Sequence, residues 1–127
     1  MLTRVEPSVR ILLESCRSAG TAGRWQVAWR VHNDGDQPLR IDDAWVPHGR
    51  FRGEAGRFPV NLAVRPGEWG QLELIVLAAE APGVVVENAF LILRTDRGRM
   101  FARMRIEFGH DGAPQPYVVR VSAQSLQ

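Results

Sequence analysis

The chain of 127 residues has no lysine, a single cysteine, a single tyrosine and no apolar run long enough to cross a membrane. Each shortage excludes something. Cys16 stands alone, so no internal disulfide braces the fold. "LELIVLAA" is the longest apolar stretch and falls far short of the roughly 20 residues a spanning helix needs. The opening "MLTRVEPSVRILLES" interrupts its apolar residues with arginine and glutamate, where an export signal requires a continuous apolar core. A lone thiol without such a signal points to a reducing, cytoplasmic compartment. All sixteen basic residues are arginine, which reads as a codon bias rather than a function, and the net charge is a modest +2.

Catalytic signatures are missing as well. There is no Gly-x-Ser-x-Gly elbow, no phosphate loop and no dinucleotide fingerprint. Asp42 and Asp43 are adjacent, so on a regular strand they point to opposite faces and cannot act as an acid/base pair. "VHNDGDQPLRI" gathers His32, Asp34 and Asp36 just ahead of Asp42 and Asp43, which raises the question of a cation site. "NDGDQ" is shorter than an EF-hand loop and lacks its distant glutamate. The zinc-type ligands His32, His48, His110 and Cys16 are widely scattered. The favoured reading is a turn, built from residues whose side chains and φ freedom suit one. No enzyme, metal or cofactor is expected.

What the chain does have is period-two alternation. Its hydrophobic content of 45% and charged content of 24% suit one soluble globular domain over residues 1–127, long enough to bury a core. "SVRILLES" aligns Val9, Ile11 and Leu13, and "RWQVAWRVH" aligns Trp25, Val27, Trp29 and Val31. "PLRIDDAWV" alternates until Asp42–Asp43, which predicts a bulge before Trp45. "RFPVNLAVR" reads as an edge strand because of Pro59, and "RPGEWG" as a turn before "QLELIVL". "VVVENAFLILR" is a longer apolar run, which predicts a central strand buried on both faces. "TDRG" closes a hairpin onto "RMFARMRIEF", with Met100, Ala102, Met104, Ile106 and Phe108 inward. After the loop "GHDGAPQP", "YVVRVSA" aligns Tyr117, Val119 and Val121. Seven or eight short strands, regular turns and no amphipathic helix predict an antiparallel sandwich with Greek-key connections; a small closed β-barrel is the alternative.

The order "WQVAWRVHNDG", "QPLRI", "LAVRPGEWGQLELIV" resembles the immunoglobulin-like modules of bacterial proteins, such as the CARDB and ASH groups. The resemblance covers residues 25 to 108 and rests mostly on turn chemistry shared by many sandwiches. The paired cysteines of antibody-type domains are absent, so that branch is excluded. The resemblance implies an immunoglobulin-like β-sandwich with a non-catalytic adhesion, spacer or scaffold role.

Two basic regions are candidate sites. "PHGRFRGEAGRF" carries Arg50, Phe51, Arg52 and Arg57 in a glycine-rich connection, where arginines clamp an anion or the aromatic stacks on a base. The alternative for that segment is a solvated loop whose arginines pair with nearby acids. Arg99, Phe101, Arg103 and Arg105 share one face of their strand, opposite the core, with Arg24 and Arg30 outward on an earlier strand. Such a face binds RNA or an acidic partner, or is simply the wet side of a sheet. Trp25, Trp29 and Trp45 are expected as core anchors, whereas Trp69 in its turn either packs over the end of the sandwich or anchors a partner. The expected function is a non-enzymatic protein–protein interaction or scaffold module. Its partner is another protein or a second copy of this chain, with no membrane. A nucleic-acid or anion-binding module using residues 50–57 or 99–105 is the alternative.

Overall fold

In a computed structural model of the protein, residues 2–5 and 8–126 are described, with side chains from 8 to 124. The described chain is strand and turn, with ten strands in chain order: β1 Leu2–Val5, β2 Val9–Ser18, β3 Arg24–Asn33, β4 Leu39–Trp45, β5 Arg52–Gly53, β6 Phe58–Val64, β7 Trp69–Leu77, β8 Val85–Thr95, β9 Gly98–Phe108 and β10 Pro114–Leu126. All eight alternating segments become strands, and the two extra ones are the short β1 and β5. They form two antiparallel sheets, a larger one ordered β1-β10-β9-β8-β4-β6 and a smaller one ordered β2-β3-β7-β5. The sheets do not close into a barrel. Their connectivity is immunoglobulin-like: β2, β3 and β7 form one layer, β4, β8 and β9 the other, and β6 joins the free side of β4.

The core fills the space between the layers. Val27, Trp29 and Val31 of β3 and Leu72, Leu74 and Val76 of β7 face Leu91 and Leu93 of β8 and the inward residues of β9. These are the positions that period two assigns to one face, so the pattern is realised directly.

Several expectations are corrected. The "VHNDGDQPLRI" turn is a corner between sheets, since β3 and β4 lie in different layers. The residue that builds it is Asn33, which is buried. Its Nδ2 donates to the carbonyls of Gln37 (2.8 Å) and Val64 (3.0 Å), while its Oδ1 accepts from the Gly35 amide at 2.9 Å. The bulge at Ile41–Asp43 is present and puts both aspartates on one side, where Arg94 approaches Asp43 at 2.6 Å and Asp42 at 3.9 Å. Opposite faces, the expectation for a regular strand, therefore do not apply. Another bulge, between Val118 and Arg120, turns Tyr117 outward and Val121 inward, so the predicted alignment with Val119 fails. Tyr117 and Val119 are 50% and 52% exposed.

β8 departs in a different way. It is central, between β9 and β4, but only one of its faces is buried. Leu91 and Leu93 enter the core, whereas Phe90 and Ile92 lie half-buried on the outer face of the larger sheet.

Candidate functional site

The strand registers assemble that outer face. Trp45 of β4 stands opposite Ile92 of β8, Ile92 opposite Phe101 of β9, and Phe101 opposite Ser122 of β10. One row along, Phe90 is opposite Arg103 and Arg103 opposite Arg120. Trp45, Phe90, Ile92 and Phe101 are all half-buried, forming a continuous apolar band across the middle of the sheet. The core position expected for Trp45 is thus wrong, because the bulge before it returns the strand with Trp45 facing outward and Ala44 inward.

Arginines rim this band. The Arg57 guanidinium lies 4.6 Å from the Trp45 ring centroid and that of Arg99 lies 5.6 Å from it, within cation–π range. Arg103 has only a 3.5 Å approach to Asn88 Oδ1. Arg57, Arg99 and Arg103 have no carboxylate partner among the described residues. Arg105, by contrast, is paired with Glu87 (3.1 Å) and Glu107 (3.3 Å), and Arg94 with the two aspartates. The hydrogen bond to Asp43 raises the pKa of Arg94 further and keeps it charged. Arg99, Phe101, Arg103 and Arg105 therefore share one face as expected, but Arg105 is neutralised. Arg24 and Arg30 belong to the other sheet.

The loop at residues 47–57 does not form an anion clamp. Phe51 is 2% exposed and belongs to the core, so it cannot stack on a base. It is anchored there because the next two residues pair with Leu77 and Val76 as β5. Arg50 turns to Glu80, whose carboxylate is held below its ordinary value by that guanidinium. Arg52 donates to the Gly49 carbonyl at 3.3 Å, and Arg57 goes to Trp45. The three arginines diverge.

Trp69 neither sits in the turn nor caps the end of the sandwich. It opens β7, opposite His32, and is 38% exposed on the outer face of the smaller sheet. Arg30 lies 4.3 Å and Arg10 5.5 Å from its ring centroid, and the His32 ring is 4.7 Å away. His32 and Asp34 do meet, at 2.5 Å, and Arg10 holds the same carboxylate, which lowers the Asp34 pKa. Among the described residues no three His, Cys, Asp or Glu side chains converge as a metal would require. Cys16 is half-buried, and burial, helped by the charge of Asp111, pushes its thiol up to about 11. No described helix is long and apolar enough to cross a membrane.

A second concave feature lies at the side of the sandwich. A cleft of about 400 Å³ opens between β7 and the β4–β6 side, lined by Trp45, Val46, Phe58, Glu73, Leu74 and the 53–56 segment. Sequence reading missed it, because its walls come from five separate strands, β3 to β7.

The molecule is thus defined as an all-β, immunoglobulin-like sandwich with an aromatic and arginine-rimmed sheet face. Neither a scan of protein-family models nor a search of curated proteins finds a match to the chain.

Proposed function

We propose that the protein is a non-enzymatic polypeptide-binding module whose contact surface is the outer face of the larger sheet, and that its partner is an acidic segment with apolar anchors. The observation that carries this is the band of Trp45, Phe90, Ile92 and Phe101, half-exposed in the middle of a sheet and rimmed by Arg57, Arg99 and Arg103. An aromatic and aliphatic centre with arginine at its edge is the composition of protein contact surfaces. Charge decides the partner. In a two-fold contact between copies, this rim would meet a rim of the same sign, whereas carboxylates complement it.

A nucleic acid fits less well. Phosphate binding needs a track of unopposed cations, and Arg94 and Arg105 already hold carboxylates.

The test titrates the labelled protein with a short peptide alternating glutamate and leucine, and in parallel with a single-stranded oligonucleotide, following amide shifts. The peptide is expected to move the signals of Ile92, Phe101 and Arg103, and Ile92→Asp to weaken it about tenfold. Tighter binding of the oligonucleotide with a steep salt dependence, or shifts that avoid β8 and β9, would overturn the reading. Dimerisation through this face, lost in Ile92→Asp, would replace the acidic partner by a second copy.

A further inference from the structure

The cleft at the side of the sandwich contains an open sheet edge. β7 is paired with β3 along its whole length, but on its other side it pairs only at Val76 and Leu77, with β5. The Glu54 amide then donates to the Ile75 carbonyl at 2.9 Å. Both backbone groups of a strand residue point the same way, and the direction alternates along the strand. The amides and carbonyls of Gln71 and Glu73 therefore face the same side as the Ile75 carbonyl, and no described strand receives them. β6 does not fill the place, because it belongs to the larger sheet. It lies close to β7 only near the turn, where Val64 and Leu62 pack over Gly70. Farther along, Phe58 of β6 and Glu73–Ile75 of β7 line the cleft.

Two other long edges are blocked. β6 carries Pro59 and the left-handed Asn61 (φ 49°), and β2 carries a bulge between Leu13 and Ser15. Along Trp69–Ile75, β7 has neither device.

We infer that this edge binds an extended peptide by strand addition, the peptide alternating apolar and basic residues. The inference goes beyond the sheet-face reading and does not depend on it. Side chains of an added strand alternate between the two faces. One set enters the gap beside Leu74, Val46 and Phe58, which calls for apolar residues. The other set lies beside Gln71 and Glu73. The cleft lining contains Glu54 and Glu73 and no basic residue. Glu54 is already held by Arg24 at 2.6 Å, but Glu73 has only the Gln26 amide, at 2.7 Å, and no cation among the described residues. A lysine or arginine in the added strand meets that carboxylate.

The test uses two acetylated peptides, one alternating lysine with valine and one alternating glutamate with valine. The lysine peptide is expected to slow amide exchange at Gln71 and Glu73, with little change in β8 and β9. Glu73→Pro removes an edge donor but no β3 bond, and should weaken binding about tenfold. Should Glu73→Pro fail to fold, Glu73→Lys keeps the edge and should reverse the preference in favour of the glutamate peptide. Failure of the lysine peptide to bind, protection away from β7, or equal binding by a folded Glu73→Pro variant overturns the inference. In both Glu73 variants the acidic peptide of the sheet-face test should still shift Ile92, Phe101 and Arg103 as in the parent protein, which separates failure of one site from failure of the other.

Discussion

Asn33 shows how much structure one side chain can hold. It is buried at the corner where the chain leaves one sheet for the other, and its amide satisfies the Gln37 and Val64 carbonyls and the Gly35 N–H. Its own N–H donates to Glu68 and its carbonyl accepts from Gly67, so the 65–68 turn is tied to the same point. Truncation leaves the buried Val64 carbonyl and the Gly35 N–H without these partners, while the Gln37 carbonyl keeps the Arg97 guanidinium. Asn33→Ala should therefore cost about 3 kcal/mol, read from urea unfolding. Asn33→Asp should be no better, because an oxygen replaces the Nδ2 donor against two carbonyls. A loss below about 1 kcal/mol would mean that water satisfies the corner instead.

At the scale of the strand, bulges decide which residues face outward. In β8 the register breaks between Val86 and Ala89, and Asn88 sits in the left-handed region at φ 59°. Asparagine and glycine tolerate that conformation, whereas a β-branched residue does not. Asn88→Gly should leave stability within about 0.5 kcal/mol, while Asn88→Val should cost about 1–2 kcal/mol, both measured by thermal unfolding. Equal losses would show that the bulge is held by its neighbours rather than by φ. The same irregularities explain what was legible beforehand. Strands β3, β7 and β9 follow period two without interruption, so their inward residues were readable from alternation alone. Trp45 and Val121 lie beyond bulges and Tyr117 just before one, and one inserted residue exchanges the faces. Phe51 was hidden differently: its neighbours are arginines and glycines, and only its pairing partners in β7 carry it inward. The apolar run of β8 signalled burial on both faces. No described element covers one of those faces, and the proposed function rests on that mismatch.

Over the whole molecule, charge pairs connect segments far apart in sequence: Arg10 with Asp34, Arg24 with Glu54 and Arg50 with Glu80. In each pair the guanidinium hydrogen-bonds the carboxylate and lowers its pKa, from an ordinary 3.8 for Asp34 and 4.5 for Glu54 and Glu80. A lowered folded-state pKa means the unfolded chain takes up protons first as pH falls. The stabilisation is thus present above about 4.5 and is lost below it, as the folded-state values are passed. All these pairs are solvent-exposed, so each contributes little alone. A larger effect follows from composition: once the fourteen carboxylates are protonated, sixteen arginines repel one another unopposed. The two effects respond oppositely to salt. Near neutral pH, added sodium chloride screens the pairs and should slightly lower the unfolding midpoint. At pH about 3 it screens repulsion and should raise the midpoint. Chemical unfolding in urea at both pH values, with and without salt, reads the sign directly. A midpoint raised by salt at both would mean that net charge, already +2 at pH 7, outweighs the pairs throughout.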